Sequence, residues 1–368
     1  MSGGAADPAA SGWSPKALLA RLGLPAVLRP LFGGRGAAFV LHRVRDPLAE
    51  GGFHASANRR NCLPPDRLAE LLDALAADRV DVVGLDEAAD RLAEDGRGRP
   101  GHRPRPFACL TFDDGYRDNH EALLPILRAR RVPAAVFVAP GLLDGSAPLW
   151  WYALDEAAGR GPVLRLPLGG PDAPEADLPT GTPEAREAAF AAGARFFLSR
   201  PPSAWAPVLD SLAHRHGVDL AGLSERHMMT RTMLRDLAAS SLVEVGAHTM
   251  THPPLSQLGE AEARREMAES RAWLERETGR PVRHLAFPFG TPDAAGARES
   301  RLAAELGFRT AATTAPGNLS ASRHGAREAH AWPRHGLGPG DGPDALRLKL
   351  AGARNPFRRA GAAAAARS

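Results

Sequence analysis

The stretch Phe107-Ala108-Cys109-Leu110-Thr111-Phe112-Asp113-Asp114-Gly115 is an apolar run of strand length that ends in two carboxylates and a glycine. Such a run predicts a buried β-strand that opens into a loop. Burying two carboxylates at the end of a strand is costly unless a cation, a metal ion or a shared proton compensates them. Asp and Gly also favour simple turns. On this stretch alone, a turn and a functional site explain the residues equally well.

A second segment, His248-Thr249-Met250-Thr251-His252, favours the functional interpretation, and it follows an apolar run at residues 242–247 that predicts another strand. Asp114, His248 and His252 supply one carboxylate and two imidazoles. This donor set suits a catalytic Zn²⁺, or a related divalent ion such as Co²⁺, with positions left for water and substrate. Pro253-Pro254 disfavours a helix here, so the histidine pair is predicted in a loop, unlike the helical metalloprotease signature.

The two neighbouring aspartates can divide the work of amide hydrolysis. Asp114 would bind the metal, which lowers the pKa of a bound water from about 15.7 to about 7. Asp113 would then act as the general base towards that water.

The leaving amine also needs a proton. His42, at the end of the apolar run 37–41, is the candidate acid, and His335 is its rival. The turn Phe287-Pro288-Phe289-Gly290 is the expected source of backbone N–H groups for the oxyanion, although Pro288 has none to give.

Apolar runs alternate with helical patterns along most of the chain, which favours a parallel sheet with right-handed crossovers. A length of 368 residues lies within the size range of a single α/β barrel. Residues 141–231 break the alternation and are predicted to form an insertion over the strand ends. Its aromatic cluster, residues 148–152, either packs the core of that insertion, which we favour, or stacks on a sugar ring. Residues 1–36 are expected to be a flexible lead-in, and residues 341–368 a C-terminal helix and Ala-rich tail.

The composition is that of a soluble globular protein, with 44% apolar and 24% charged residues. A net charge of +4, spread along the chain, gives no case for a nucleic-acid partner. Two cysteines make neither a disulfide framework nor a metal-binding repeat, and we expect Cys109 in the core and Cys62 in a polar loop. No signal peptide and no membrane-spanning run are recognised, so a cytoplasmic location is predicted.

Three motifs together resemble the polysaccharide deacetylases, the carbohydrate esterase family 4 that includes nodulation-type chitooligosaccharide deacetylases. They are residues 111–115, 248–253 and 287–290, and the resemblance covers about residues 37–340. It implies a distorted (β/α) barrel, usually of seven strands, that removes N-acetyl groups from amino sugars with the help of a metal. By position, it implies that Asp113 is the base and that the backbone of Phe289 lies at the oxyanion. It assigns the metal to Asp114, His248 and His252.

The chain departs from the family pattern in two places. Many members carry an arginine, paired with the catalytic aspartate, where this chain has Ala286, and we expect Arg334 to supply that charge from the last strand. A late Leu-x-His acid motif is also missing. The early segment Leu41-His42-Arg43-Val44 resembles a branch with rearranged motif order, which supports His42 as the acid.

The leading hypothesis is a metal-dependent hydrolase acting on an N-acetylated amino sugar, a chitooligosaccharide or a polysaccharide. Two alternatives remain open: a non-catalytic carbohydrate-binding homologue, and a hydrolase of a small non-peptide amide. The insertion discriminates between the two enzymes, because an open groove fits an oligomer and a closed lid fits a small molecule.

Overall fold

The structure, a computed structural model, describes Leu28 and residues 33–48, 54–95, 105–169, 174–325 and 328–352. Most of the expected lead-in at residues 1–36 and the Ala-rich tail at 360–368 lie outside these residues. The described strands are β1 (Gly36–Leu41), β2 (Arg43–Val44), β3 (Cys62–Leu63), β4 (Asp81–Val82), β5 (Phe107–Phe112), β6 (Ala134–Val138), β7 (Val163–Leu166), β8 (Ala176–Pro179), β9 (Val243–Ala247), β10 (His284–Ala286), β11 (Thr310–Ala312) and β12 (Arg334–Gly336).

The described α-helices are α1 (Ser56–Arg60), α2 (Pro65–Ala77), α3 (Leu85–Asp95), α4 (Leu124–Arg130), α5 (Pro140–Leu143), α6 (Trp150–Gly159), α7 (Pro183–Ser199), α8 (Ala206–Asp210), α9 (Leu220–His227), α10 (Arg231–Ala239), α11 (Glu260–Thr278), α12 (Ala297–Glu305), α13 (Ala321–His324) and α14 (Pro343–Leu350). Short π-helical segments, Asn119–Leu123 and Ser211–Arg215, precede α4 and follow α8. Every described helix is too short or too polar to span a bilayer.

Seven strands form one parallel sheet in the order β11-β10-β9-β6-β5-β1-β12. A parallel bridge joins Ala312, in the strand at one edge, to Trp332, two residues before the strand at the other edge. The sheet is therefore nearly closed into a barrel, and β4 pairs with the start of β5 outside this path. The predicted seven-stranded (β/α) barrel is confirmed.

Alternating side chains along each strand separate two cores, as the two-residue period of a strand requires. Along β1, Ala37, Phe39 and Leu41 pack outward with the helices, whereas Ala38 faces the barrel interior. The interior is filled by small side chains around three large rings; its members include Ala38, Cys109, Ala135, Ala286, Ala312, Phe107, Phe137 and Trp332. Cys109 is thus a core residue, as predicted.

One local prediction is corrected, and one pair of strands was not predicted. Cys62 does not lie in a polar loop: it is buried in β3, where it pairs with Arg43 of β2. The Pro/Gly/Asp-rich stretch 161–183, in which the sequence suggested no strand, contains an antiparallel hairpin of β7 and β8. Leu164 and Leu166 are buried and alternate with exposed neighbours, a period that the surrounding turn residues obscured.

The region 141–231 has a hydrophobic core of its own above the barrel. Trp150 stacks on Phe197 with ring centroids 4.9 Å apart, and Trp151 meets Trp150 edge to face at 5.4 Å. Both indoles are buried in this core. The packing interpretation of the aromatic cluster is therefore confirmed.

Asp155 of α6 ties this insertion to the segment before α1. Its buried carboxylate accepts hydrogen bonds from the backbone N–H of Ala55 at 2.8 Å and from the amide of Asn58 at 2.6 Å. Replacing Asp155 by alanine leaves the N–H of Ala55 without this acceptor, while the amide of Asn58 keeps only its bond to the Trp151 carbonyl. The expected cost is about 1–3 kcal/mol in the free energy of unfolding. We expect chemical denaturation to show that loss, whereas Asp177→Ala, on the exposed hairpin, leaves the midpoint unchanged. An unchanged midpoint in the Asp155 variant would contradict this anchoring.

Candidate active site

The two aspartates of the deciding stretch follow β5 directly. The backbone N–H of Asp113 donates to the carbonyl of Leu41 at 2.9 Å, which continues the pairing of β1 with β5 by one residue. Asp114 then adopts a left-handed backbone conformation with φ of 76°, and Gly115 follows with φ of 86°. This conformation is uncommon for a residue with a side chain, although aspartate adopts it more readily than most. The tight turn leaves both carboxylates buried at the top of the barrel.

Arg334 forms a bidentate ion pair with Asp113. Its two terminal nitrogens donate to the two carboxylate oxygens at 2.7 and 2.8 Å, and its other bonds go to the Thr313 carbonyl and the Thr111 hydroxyl, both at 2.9 Å. Arg334 is 0% and Asp113 only 2% exposed, so each charge depends on the other. Burial by itself would raise the pKa of Asp113, but the guanidinium holds that pKa below its usual range.

Asp114 faces the two histidines of the second motif. Its Oδ1 lies 3.3 Å from Nε2 of His248 and 3.1 Å from Nε2 of His252. Bonds of about 2.0–2.2 Å to a tetrahedral ion place neighbouring ligand atoms about 3.3–3.5 Å apart. The three donor atoms therefore fit a divalent cation such as Zn²⁺, with positions left for water and substrate.

The histidine loop is held so that Nε2 of His248 faces Asp114. Nδ1 of His248 lies 2.7 Å from the carbonyl of Ala286, the arrangement that orients a ligating imidazole. Burial would lower the pKa of His248, but the carboxylate of Asp114 raises it overall; for His252, burial dominates and the pKa is lowered. His248 and His252 flank irregular backbone, as predicted.

Glu266 of α11 is a positioning residue that the sequence did not reveal. Its carboxylate accepts the backbone N–H groups of Met250 and Thr251, both at 2.8 Å, and the hydroxyl of Thr251 at 2.7 Å. These bonds fix the loop between the two histidines. A glutamate within a polar, amphipathic helix carries no signal in the sequence that distinguishes it from its solvated neighbours.

His42 and His335 lie on different sides of the barrel wall. His42 follows β1 immediately beside Asp113, is partly exposed, and its imidazole contributes to lowering the pKa of both Asp113 and Asp114. His335 follows Arg334 in β12 and faces outward, where its ring packs on Phe39 and Nε2 lies 2.6 Å from Asn318. Of the two, the structure brings only His42 to the aspartates.

Phe289 lies in the turn after β10 with φ of 61°, a left-handed conformation for a residue that is not glycine. The hydroxyl of Thr314 donates to its carbonyl at 2.8 Å and fixes the peptide orientation. The Phe289 ring lies 4.8 Å from that of His252. This turn is therefore next to the candidate metal ligands.

The insertion covers part of the site. The ring of Trp151 lies 5.3 Å from that of His252, and its Nε1 donates to the hydroxyl of Tyr116 at 3.0 Å. Arg43, also buried, donates to Asp118 at 2.7 Å and to the hydroxyl of Tyr152 at 2.9 Å. These hydrogen bonds hold α6 against the ends of the strands. The sequence pattern did not predict them.

Residues 101–163 and 201–311 match the family model described as "Polysaccharide deacetylase". The matched segments contain Asp113, Asp114, both histidines and Phe289. His42 and Arg334 lie outside them, and residues 164–200 of the insertion lie between them. A search of curated protein sequences found no match.

Solved structures of low sequence identity share the fold. The deacetylase PplD of Streptococcus pyogenes, in complex with acetate, is 16% identical with a TM-score of 0.51, over 86% of this chain and 97% of that chain. IcaB from Ammonifex degensii is 20% identical with a TM-score of 0.52, over 88% and 98%. The de-N-acetylase from Aggregatibacter actinomycetemcomitans is 15% identical with a TM-score of 0.51, over 85% and 99%. By the family-model match, residues 101–163 and 201–311 of the chain carry a polysaccharide deacetylase domain.

Proposed function

We propose that this protein is a metal-dependent hydrolase that removes N-acetyl groups from an N-acetylated amino sugar, a chitooligosaccharide or a polysaccharide. The observation that carries the proposal is a buried aspartate held by a bidentate arginine directly beside an Asp-His-His ligand set. A divalent ion bound by Asp114, His248 and His252, most simply Zn²⁺, would polarise the acetamide carbonyl and lower the pKa of a water molecule. The cytoplasmic location expected from the sequence stays a prediction.

Asp113 is the proposed general base. Arg334 keeps its carboxylate ionised and fixed, so Asp113 can accept the proton of the attacking water without first losing one itself. The ion pair makes Asp113 a weaker base. In return, its carboxylate is ionised and correctly oriented at neutral pH.

His42 is the proposed general acid, and Phe289 the proposed oxyanion donor. His42 is partly exposed at the end of β1, where it can meet the leaving amine and give it a proton. The backbone N–H of Phe289, next to the ligand set, would donate to the oxygen that gains negative charge. Both groups act only on the substrate, so neither is needed to hold the metal.

Acetate release tests the proposal directly. The purified protein is assayed on a panel of N-acetylated sugars, from the monosaccharide to chitooligosaccharides and an acetylated polysaccharide. We expect release that stops on chelation, returns with Zn²⁺ or Co²⁺, and falls about 10²–10⁴-fold in Asp113→Asn. Asp177→Asn, far from the site on the exposed hairpin, is the matched control and should keep full activity.

Two results would contradict parts of the proposal. If the protein binds metal and hydrolyses a small linear or cyclic amide but releases no acetate from any sugar, the small-amide hydrolase is favoured. The ring of Trp151, which lies beside that of His252, would then cover a small substrate. Metal binding with sugar affinity and no hydrolysis of either class would leave the carbohydrate-binding homologue.

A further inference from the structure

The barrel has a second cluster of potential ligands at the opposite end from Asp114. Glu244 stands at the beginning of β9 and His284 at the beginning of β10, and both face the barrel interior because Val243, Val245 and Leu285 pack outward. Asp86, in the first turn of α3, completes the cluster. One ligand atom from each of the three side chains lies within 4.8 Å of the others.

His284 is the observation that points to a ligand. Its imidazole is 2% exposed, and Nδ1 lies 2.8 Å from the hydroxyl of Thr310, which fixes the ring. Nε2 is buried, makes no well-aligned hydrogen bond within the described residues, and has the carboxylate of Asp86 as its charged neighbour. That nitrogen lies 3.3 Å from Oδ1 of Asp86, the separation expected of two ligand atoms around one tetrahedral ion.

A cavity adjoins these three residues. It has a volume of about 170 Å³, large enough for several water molecules, and Asp86, Glu244 and His284 are among its lining residues. Three protein ligands plus a water from the cavity would complete a four-coordinate site.

We infer that Asp86, Glu244 and His284 form a second binding site for a divalent transition metal, with Zn²⁺ the best match. Imidazole combined with carboxylate favours zinc over the all-oxygen cations Mg²⁺ and Ca²⁺. Glu244 lies in β9, and His248 follows that strand four residues later, so this site lies about 13 Å from the candidate catalytic one. It would join the starts of two strands whose ends carry His248 and the Phe289 turn.

Neighbouring charges set the expected order of filling. Arg283 and Arg309 donate to the carboxylate of Asp86 at 2.7 and 2.5 Å, and the carboxylate of Glu244 accepts two backbone N–H groups at the start of α3. Each carboxylate has about four lone-pair positions, so acceptor capacity remains for a metal. The positive charges of the two guanidinium groups repel a bound cation. We therefore expect this site to bind zinc more weakly than the site at Asp114, and to fill after it.

Counting bound zinc tests the inference without reference to activity. The full chain is stripped with a chelator, dialysed against excess Zn²⁺, and analysed by elemental mass spectrometry. We expect two zinc ions per wild-type chain, one in His284→Gln, one in His248→Gln and none in the double variant. His214→Gln, an exposed histidine of the insertion, is the matched control and should retain two.

The thermal midpoint supplies the second measurement, because an ion that binds only the folded chain raises Tm. Zinc should raise the Tm of His248→Gln and leave that of the double variant unchanged. Glu244→Gln replaces His284→Gln if circular dichroism shows the latter unfolded. One zinc per wild-type chain, with the same count in His284→Gln or Glu244→Gln, would overturn the second site and leave the proposed deacetylase unaffected.

Discussion

Replacing Arg334 by methionine is expected to lower both stability and turnover sharply. Methionine fills most of the space but leaves Asp113 buried without its partner, which costs about 3–5 kcal/mol in the free energy of unfolding. Turnover should fall by about 10²–10⁴-fold, because the base loses its orientation and its ionised state. Denaturant titration and acetate release measure the two effects separately.

The pH profile separates the charge of Arg334 from its packing. The guanidinium lowers the pKa of Asp113, so the wild-type base stays ionised towards acidic pH. Without the guanidinium that pKa rises, and the acidic limb of kcat/KM should move to higher pH. Arg334→Lys keeps a positive charge but cannot form the bidentate ion pair. The acidic limb of its kcat/KM profile should therefore lie between those of the wild type and Arg334→Met. A profile and stability equal to wild type in the methionine variant would refute the ion pair as a determinant of the site.

A rescue variant tests whether the position of the guanidinium is interchangeable. Ala286 faces the barrel interior from β10, at the position where the motif resemblance leads us to expect an arginine. Adding Ala286→Arg to Arg334→Met should restore part of the lost turnover and stability. Ala286→Arg alone should be destabilising, because two guanidinium groups would then compete for one carboxylate.

Replacing His42 by alanine should cut turnover by about 10²–10⁴-fold while metal content stays at the wild-type value. His42 lies beside Asp113 but outside the ligand set, so its loss removes proton donation to the amine and leaves the metal in place. Acetate release and metal analysis on the same preparation give both numbers.

His335→Gln is the matched control, since that histidine faces outward and contacts Asn318. It should keep turnover close to wild type. If His42→Ala turns over normally while His335→Gln is inactive, the two roles were exchanged and the outward orientation of His335 is wrong.

The sequence predicted the parts of the site that rest on local patterns. An apolar run ending in two aspartates predicts a strand end, and β5 ends at Phe112 immediately before them. A proline pair after His252 predicts a loop, and the segment is irregular. In both cases the residues that determine the local structure are neighbours in the chain. A local sequence pattern is therefore enough to predict it.

Long-range partners were beyond the reach of such patterns. Glu266 and Arg43 carry no local signature, and their roles follow only from the packing of α11 against the histidine loop and of α6 against the strand ends. Arg334 was predicted only through the family resemblance, which leads us to expect an arginine where this chain has Ala286. The hairpin of β7 and β8 was missed because turn residues on both sides masked a short alternating pattern.

The Asp113–Arg334 pair joins residues 221 positions apart, and its consequence concerns the order in which the molecule assembles. Chains emerge from the ribosome amino end first, and early segments begin to fold before later ones exist. A nascent chain that stops short of β12 holds Asp113 without its counter-charge and exposes the free edge of β1 to other strands. We therefore expect barrel closure and neutralisation of the base to occur in the same late step of folding.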